Sequence, residues 1–257
     1  MEDKNRTIFV VLIAFVIVVA VFSSFGLGFF APTTPEVYLP KVTGQPENEP
    51  GPGSTADPER YTRVEVTPDT VQDVIRTMVP LQPESYHRTV EVRTSLGNGA
   101  MGITTNQVWV DFGWTMVEAL WPSGVTEYTL VGEDRVYRWF SGDQSYKTWE
   151  GGARDADMAQ RIPTYEDVLD LDKASITDTG YENKGGLPCV YVEVAENELG
   201  NRERYWISVE TGLLVAAETQ KGEETLLLMN SDAVERPVQP GMRFSLPDGK
   251  VLHTGGN

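Results

Sequence analysis

The sequence predicts a mainly β protein in which an antiparallel domain follows a membrane anchor and a linker. Three features predict this organisation: a charge-free apolar run near the N-terminus, a Pro-rich segment after it, and a long series of alternating apolar and polar residues interrupted by turn signals. We expect residues 1–30 to form a cytoplasmic stub and a transmembrane anchor, residues 31–60 a linker, and residues 61–257 a single β-rich domain.

The predicted anchor is the apolar run of residues 8–30, IFVVLIAFVIVVAVFSSFGLGFF. As a helix it would be roughly 34 Å long, which exceeds the hydrocarbon core of about 30 Å. A cleaved signal peptide is the alternative, but its apolar region usually has about 7–15 residues and ends at a small-x-small site, which is missing here. The only cysteine is Cys189, so no lipid-modified cysteine follows the run. We therefore expect an uncleaved signal-anchor.

The basic residues around this run predict its orientation. Lys4 and Arg6 precede the run, and the next basic residue is Lys41. Because basic residues accumulate on the cytoplasmic side of a span, we expect a cytoplasmic N-terminus. The protein would then be a single-pass membrane protein whose C-terminal domain is extracytoplasmic.

Residues 31–60 contain seven prolines and little apolar periodicity, which indicates a semi-extended linker. The alternative, that this segment packs on the domain, is supported only by Val37, Tyr38 and Leu39. The formal net charge of −17 argues against binding to nucleic acid or to anionic lipid headgroups, since both require clustered Lys and Arg. A basic protein partner remains compatible with this charge. With one cysteine, the chain must be stabilised by its core and not by internal disulfides.

The domain is expected to begin with a short amphipathic helix. Thr67 is a candidate N-cap, Pro68 suits the first helical turn, and Pro80 ends the pattern. Between them, apolar residues recur at helical spacing at Val71, Val74, Ile75 and Met78.

From Ser85 onward the chain alternates with period 2 and predicts an antiparallel meander. Turn signals such as Phe112-Gly113 and Glu133-Asp134 recur at regular intervals. A helical patch within residues 155–171 interrupts the strands, which then resume and end in a Pro-bounded tail around Phe244 and Leu246. We expect about ten or eleven strands and two short helical regions.

The sequence shows no convincing catalytic or metal site, and we expect the protein not to be an enzyme. The glycines of residues 97–102 precede a strand instead of the helix that a dinucleotide site requires. Asp178-Thr179-Gly180 occurs once, whereas an aspartic protease needs two such carboxylates. His87 and His253 lack ligand-type neighbours, and Cys189 lies in an apolar strand. No cofactor is expected either.

The segment 204–214, RYWISVETGLL, has the pattern of a strand, a turn and a second strand. It resembles the strand–turn–strand of the type W-I-D-x-x-T-G-L in the LolA/LolB/RseB-like lipoprotein-carrier superfamily. Shorter similarities lie at residues 85–87 (SYH), 131–137 (VGEDRVY), 186–192 (GLPCVYV) and 244–247 (FSLP). The resemblance covers about residues 61–257.

This resemblance implies a curved antiparallel half-barrel whose concave apolar face is covered by helices and receives a lipid or an acylated peptide. The fixed anchor departs from the soluble carriers, so we expect a membrane-tethered binding module that accommodates a lipid or lipoprotein acyl chain. The alternative is an envelope signalling or protein-interaction module that resembles anti-sigma-factor regulators and does not transport lipid. Packing of an ordinary core is equally compatible with the apolar strands.

Strand alternation predicts which residues would line the concave face, because alternate residues share a face. A carboxylate is costly to bury without a partner, so the strand face opposite Glu118 is expected to point inward. In the same way, Arg138 is expected to turn Val136 and Phe140 outward. A register shift of one residue would reverse every assignment. The seven expected ligand-binding residues are Val117, Ala119, Trp121, Tyr128, Leu130, Tyr137 and Trp139.

Overall fold

The computed structural model describes residues 38–40, 61–63, 65–152, 154 and 162–256, all within the unit formed by residues 36–257. The predicted anchor and most of the predicted linker lie outside the described residues, as does part of the second helical region. Among the residues that are described, no helix is long and apolar enough to cross a membrane. The anchor and the linker remain predictions.

Eleven strands form one antiparallel sheet, which is open and curved. Two short strands precede them and pair with each other: β1 (Tyr38–Pro40) and β2 (Tyr61–Arg63). The strands of the large sheet are β3 (Ser85–Gly97), β4 (Ala100–Asp111), β5 (Trp114–Leu120), β6 (Thr126–Gly132), β7 (Arg135–Phe140), β8 (Lys147–Glu150), β9 (Ile176–Lys184), β10 (Leu187–Val194), β11 (Asn201–Ser208), β12 (Leu214–Lys221) and β13 (Glu224–Ser231). The prediction of a mainly β domain with about this number of strands is confirmed.

The strand order shows two meanders instead of one continuous meander. It runs β8-β7-β6-β5-β4-β3-β13-β12-β11-β10-β9, so the first meander (β3–β8) and the second meander (β9–β13) meet where β3 pairs with β13. Strands β8 and β9 therefore lie at opposite edges, although they are neighbours in the sequence. The predicted helical patch lies in the segment that carries the chain from one edge to the other.

The predicted turns have the backbone conformation that tight hairpins need. Phe112 and Gly113 have φ values of 44° and 86°, and Glu133 and Asp134 have φ values of 50° and 58°. Two successive residues with positive φ form a type I′ turn, whose twist matches that of the flanking strands. These two turns join β4 to β5 and β6 to β7 at the positions that the sequence predicts.

The two α-helices among the described residues are short. Helix α1 spans Val71–Met78 and continues as a 3₁₀ turn over Val79–Leu81, and helix α2 spans Tyr165–Leu169. The predicted cap at Thr67 is wrong: its carbonyl accepts hydrogen bonds from the N–H groups of Thr70 and Val71, while its hydroxyl contacts that of Thr70. The chain therefore makes one extra turn before α1 begins. Helix α2 has a capping box between Thr164 and Asp167.

Both helices pack on one face of the sheet, which we call the helix face. Gln72 of α1 joins the helices, because its side-chain amide donates to the carbonyls of Val168 at 3.0 Å and Leu171 at 2.9 Å. Apolar residues of both helices and of the sheet form one buried cluster, which includes Val71, Val74, Ile75, Met78, Val168, Val190, Val192, Ile207, Leu214, Ala217 and Met229.

A C-terminal hairpin packs on the opposite face, which we call the hairpin face. It consists of β14 (Arg243–Ser245) and β15 (Val251–Thr254). The buried side chains of Phe244 and Leu246 pack against an aromatic-rich surface of the first meander. A second attachment is polar, since Asp111 accepts a hydrogen bond from Ser85 at 2.5 Å and lies 2.7 Å from Nε2 of His253. Both faces of the first meander are therefore occupied by buried side chains.

Candidate functional site

A row of three buried residues crosses the helix face of the first meander. In the strand register Asn106 of β4 is paired with Ala119 of β5, and Ala119 is paired with Glu127 of β6. Their exposed fractions are 0%, 0% and 1%, respectively. Directly opposite residues of antiparallel strands share a face, so the three side chains point the same way. We call Asn106, Ala119 and Glu127 the polar row.

Glu127 is a buried carboxylate whose two oxygens have different partners. One oxygen forms an ion pair with the guanidinium of Arg138, and the other accepts a hydrogen bond from the indole N–H of Trp121 at 3.1 Å. Arg138 lies on β7 and keeps about a third of its side chain exposed, whereas the side chain of Glu127 is only 2% exposed. The guanidinium thus balances the charge of a carboxylate that could not be buried alone.

Asn106 is fully buried, and only one end of its carboxamide has a partner. Its Nδ2 donates to the carbonyl of Val90 at 3.1 Å, whereas its Oδ1 has no hydrogen-bond partner among the described residues. The orientation of the amide follows from this contact, because a carbonyl accepts from the NH₂ group and not from the oxygen. The oxygen is therefore turned away from Val90.

The residues around the polar row are also buried. Val117 and Thr129, paired with each other across β5 and β6, are both 0% exposed. The apolar cluster that contains the helices includes Val117, while Val131 and Val136 form a small separate cluster. The helix face of the first meander therefore combines small or polar side chains at its centre with apolar side chains around them.

The structure divides the seven predicted ligand-binding residues between two faces. Val117, Ala119 and Trp121 belong to the helix face, where Trp121 contacts Glu127. The other four belong to the hairpin face, where they pack with the C-terminal hairpin: Tyr128, Leu130, Tyr137 and Trp139. The expectation that all seven share one face is wrong. A ligand-binding role for any of them remains a prediction.

The error has a specific physical cause. The prediction used Arg138 as a marker of the solvent side of β7, which placed Val136 outward. In the structure Arg138 points to the helix face because Glu127 pairs with it, and Val136 on the same face is 0% exposed. The sequence analysis also missed three buried residues of this face, Asn106, Glu127 and Thr129. The sequence signals them only by placing a polar residue where the strand alternation calls for an apolar one.

A second polar network lies on the hairpin face of the second meander. Glu193 accepts hydrogen bonds from the hydroxyl of Tyr191 at 2.7 Å and from Nε of Arg204 at 2.8 Å. Burial raises the pKa of Glu193, but these two donors outweigh it and lower the pKa below its usual value. Burial and the contact with Glu193 raise the pKa of Tyr191. Because Tyr191, Glu193 and Arg204 bond to one another, their burial does not require a ligand.

The remaining reactive side chains have structural surroundings. Burial raises the pKa of the Cys189 thiol to about 11, so it stays protonated at neutral pH. His87 stacks on Trp109 and His253 stacks on Trp114, with distances between ring centroids of 5.0 Å and 5.6 Å, respectively. Within the described part of the chain, no group of three His, Cys, Asp or Glu side chains is placed to hold a metal ion.

No protein-family model matches the sequence, and the comparison with curated proteins finds no match. Among solved structures, the chain is similar to a LolA superfamily protein from Nitrosomonas europaea, with 10% identity, coverage of 66% of this chain and 94% of the other, and a TM-score of 0.34. It is also similar to the lipoprotein LppX from Mycobacterium tuberculosis, with 14% identity, coverage of 66% of this chain and 98% of the other, and a TM-score of 0.39.

The chain is also similar to a chain of the MucA/MucB complex from Pseudomonas aeruginosa, with 16% identity, coverage of 64% of this chain and a TM-score of 0.40. It spans 56% of the length of that matched chain. The superfamily that the sequence resembles is thus found again among solved structures. With TM-scores below 0.5, these similarities carry no argument about function.

Proposed function

We propose that this protein is a membrane-tethered binding module that accommodates a lipid or lipoprotein acyl chain on the helix face of its first meander. The observation that carries the proposal is the small side chain of Ala119 at the centre of the polar row. It lies between the longer side chains of Asn106 and Glu127, and none of the three is more than 1% exposed. A methyl side chain between two longer ones is the position on this face where we expect a slender apolar ligand to lie.

The flanking residues support an acyl chain over a compact polar ligand. Val117 lies beside Ala119 on the same face, and the pair Val131 and Val136 extends the apolar surface toward β7. The Glu127–Arg138 pair keeps the polar row electrically balanced. A long hydrocarbon chain can therefore lie along the face without leaving a charge uncompensated.

Photolabelling tests this proposal on the full-length chain in detergent. A palmitate analogue that carries a diazirine is crosslinked, and the modified peptides are mapped by mass spectrometry. We expect labelling of β5 and β6, with competition by unlabelled palmitate. Labelling confined to residues 8–30 would mean that the probe reports only the predicted anchor, and the proposal would be overturned.

A pair of matched variants locates the ligand. Ala119→Trp fills the position of the methyl group and should abolish labelling of β5 and β6, whereas Leu120→Trp places the same side chain on the hairpin face, at a residue that is 47% exposed, and should leave labelling unchanged. Thermal unfolding identifies variants that fail to fold, and the smaller change Ala119→Val then serves as the graded alternative. Full labelling of a folded Ala119→Trp protein would contradict the site.

The membrane tether and its orientation are part of the same proposal. They rest on the apolar run of residues 8–30 and on Lys4 and Arg6 before it. Alkaline phosphatase, which is active only outside the cytoplasm, can be fused after Asn257. An active fusion supports an extracytoplasmic domain, whereas an inactive but stable fusion would contradict it.

A protein-interaction or envelope signalling module is the second candidate, and the edge strand β8 favours it. Residues 141–150 are all exposed, and among the described strands β8 pairs only with β7. An unpaired edge can add a strand from a partner, and the net charge of −17 favours a basic one. A photocrosslinker at Trp149 should then capture one defined protein in a salt-sensitive manner, whereas a crosslinker at the exposed Leu199 should not. Capture at both positions or at neither would contradict it.

A further inference from the structure

The polar row contains a buried hydrogen-bond acceptor without a partner. Oδ1 of Asn106 is completely buried and accepts no hydrogen bond from any described residue. An unsatisfied buried polar group typically costs about 1–3 kcal/mol, so folded proteins rarely retain one without a reason. The carboxamide cannot remove the cost by rotating about its last bond, because Nδ2 already donates to the carbonyl of Val90.

The acceptor lies where the proposed ligand would pass. Asn106 is the cross-strand neighbour of Ala119, and its oxygen is turned away from Val90 on β3. Glu127 lies on the other side of Ala119, two strands from Asn106, which corresponds to about 10 Å between the backbones. Its two oxygens accept from Trp121 and pair with Arg138, but a carboxylate can accept further hydrogen bonds.

The charge of the row restricts what can bind there. Glu127 is balanced by Arg138, and Asn106 is neutral, so the row offers acceptors without a net charge. A cationic head would not be compensated by a free carboxylate, because Glu127 is already paired with Arg138. A neutral group with N–H or O–H donors fits best.

We propose that Asn106 selects acyl ligands whose neutral head carries an amide or hydroxyl donor, a proposal that rests on the function proposed above. The donor binds Oδ1 of Asn106, and the hydrocarbon lies over Ala119 and Val117. An ester without a donor leaves Oδ1 unsatisfied and binds more weakly. One hydrogen bond to a buried acceptor corresponds to about a tenfold difference in affinity.

Competition against the palmitate photoprobe tests this proposal on the full-length chain. Three competitors have the same chain length: palmitamide with an amide donor, 1-monopalmitoylglycerol with hydroxyl donors, and methyl palmitate without a donor. For the wild type we expect at least one donor-bearing compound to compete about tenfold better than the methyl ester. A preference for palmitamide would identify an amide-linked chain, as in an acylated peptide, and a preference for the glyceride a glycerolipid.

Asn106→Leu keeps the volume of the side chain but removes the acceptor, and should make all three compounds compete equally. Thr105→Val changes a polar residue on the hairpin face of the same strand and should preserve the preference. If Asn106→Leu does not fold, Asn106→Ala provides the same comparison. Equal competition in the wild type, or a preference that survives the loss of Asn106, would overturn this inference while leaving acyl binding intact. Failure of all three compounds to compete would instead overturn the proposed function.

Discussion

The helix face is built differently over the two meanders. Over the second meander it meets the helices through apolar side chains, such as Val190 and Ile207, which pack with Ile75 in one buried cluster. Over the first meander its centre carries Asn106 and Glu127, which are buried to a similar degree. Apolar packing tolerates imperfect neighbours, whereas a buried polar group requires a partner in a defined position. The second meander therefore serves as the framework, and the first meander carries the buried polar residues on which the proposed site rests.

The largest loss of stability is expected where the helix packs on the second meander. Ile75 is 0% exposed, so Ile75→Ala should lower the free energy of unfolding by about 3 kcal/mol through lost burial and a cavity. Denaturant unfolding of the full-length chain measures this change. Arg76→Ala, next to it on the exposed side of α1, is the control and should cost less than about 0.5 kcal/mol. Equal losses in both variants would contradict a framework role for the helix contact.

Two glycines in turns of the second meander test the same contact between this meander and helix α1. Gly212 and Gly222 have φ values of 65° and 59°, so alanine strains the backbone at either position by about 1 kcal/mol. A Cβ at Gly212 would also lie 2.4 Å from the carbonyl oxygen of Met78 in α1, whereas at Gly222 it would meet nothing within 4 Å. Gly212→Ala should therefore lower the free energy of unfolding by more than about 2 kcal/mol, and Gly222→Ala by only about 1 kcal/mol. Similar thermal unfolding of the two variants would show that α1 yields at this contact.

In the first meander, the sensitive element is the buried ion pair. Arg138→Met leaves the carboxylate of Glu127 buried without its cation and should cost about 2 kcal/mol, because Arg138 itself is partly exposed. The double variant Glu127→Leu/Arg138→Met removes both charges and should recover most of that loss. Denaturant unfolding of the single and double variants measures the coupling. A double variant that is less stable than Arg138→Met would show that the pair is needed for more than mutual compensation.

The smallest effect is expected for the paired network on the hairpin face of the second meander. The lowered pKa of Glu193 means that its contribution to stability is present above the ordinary glutamate pKa of about 4.3 and is lost as the pH falls through the lowered value. Glu193→Gln should flatten this acid-side loss by on the order of 1 kcal/mol. Unfolding measured from pH 3 to 7 tests it, with Glu198→Gln in the exposed loop after β10 as the control. An unchanged slope in Glu193→Gln would refute the assignment.

Local features of the domain could be read from the sequence because their causes are local. Alternation predicts the strands, and the turn chemistry of Phe112-Gly113 and Glu133-Asp134 predicts where hairpins reverse, since both depend on residues next to each other in the chain. The helix at Val71–Met78 follows from apolar spacing in the same way. The sequence did not predict the exact start of this helix, because the carbonyl of Thr67 accepts hydrogen bonds in an extra turn that precedes it.

The choice of face and the order of strands depended on contacts between distant residues. Alternation shows that Val136 and Tyr137 point to opposite faces, but the first meander buries side chains on both, so polarity does not reveal which face is which. Arg138 points to the helix face, where Glu127 of the neighbouring strand pairs with it. In the same way, β9 lies at the edge opposite β8 because β13 pairs with β3, a contact between residues more than 130 positions apart. No local pattern carries that information, because the free energy of each choice is decided by partners that folding alone brings together.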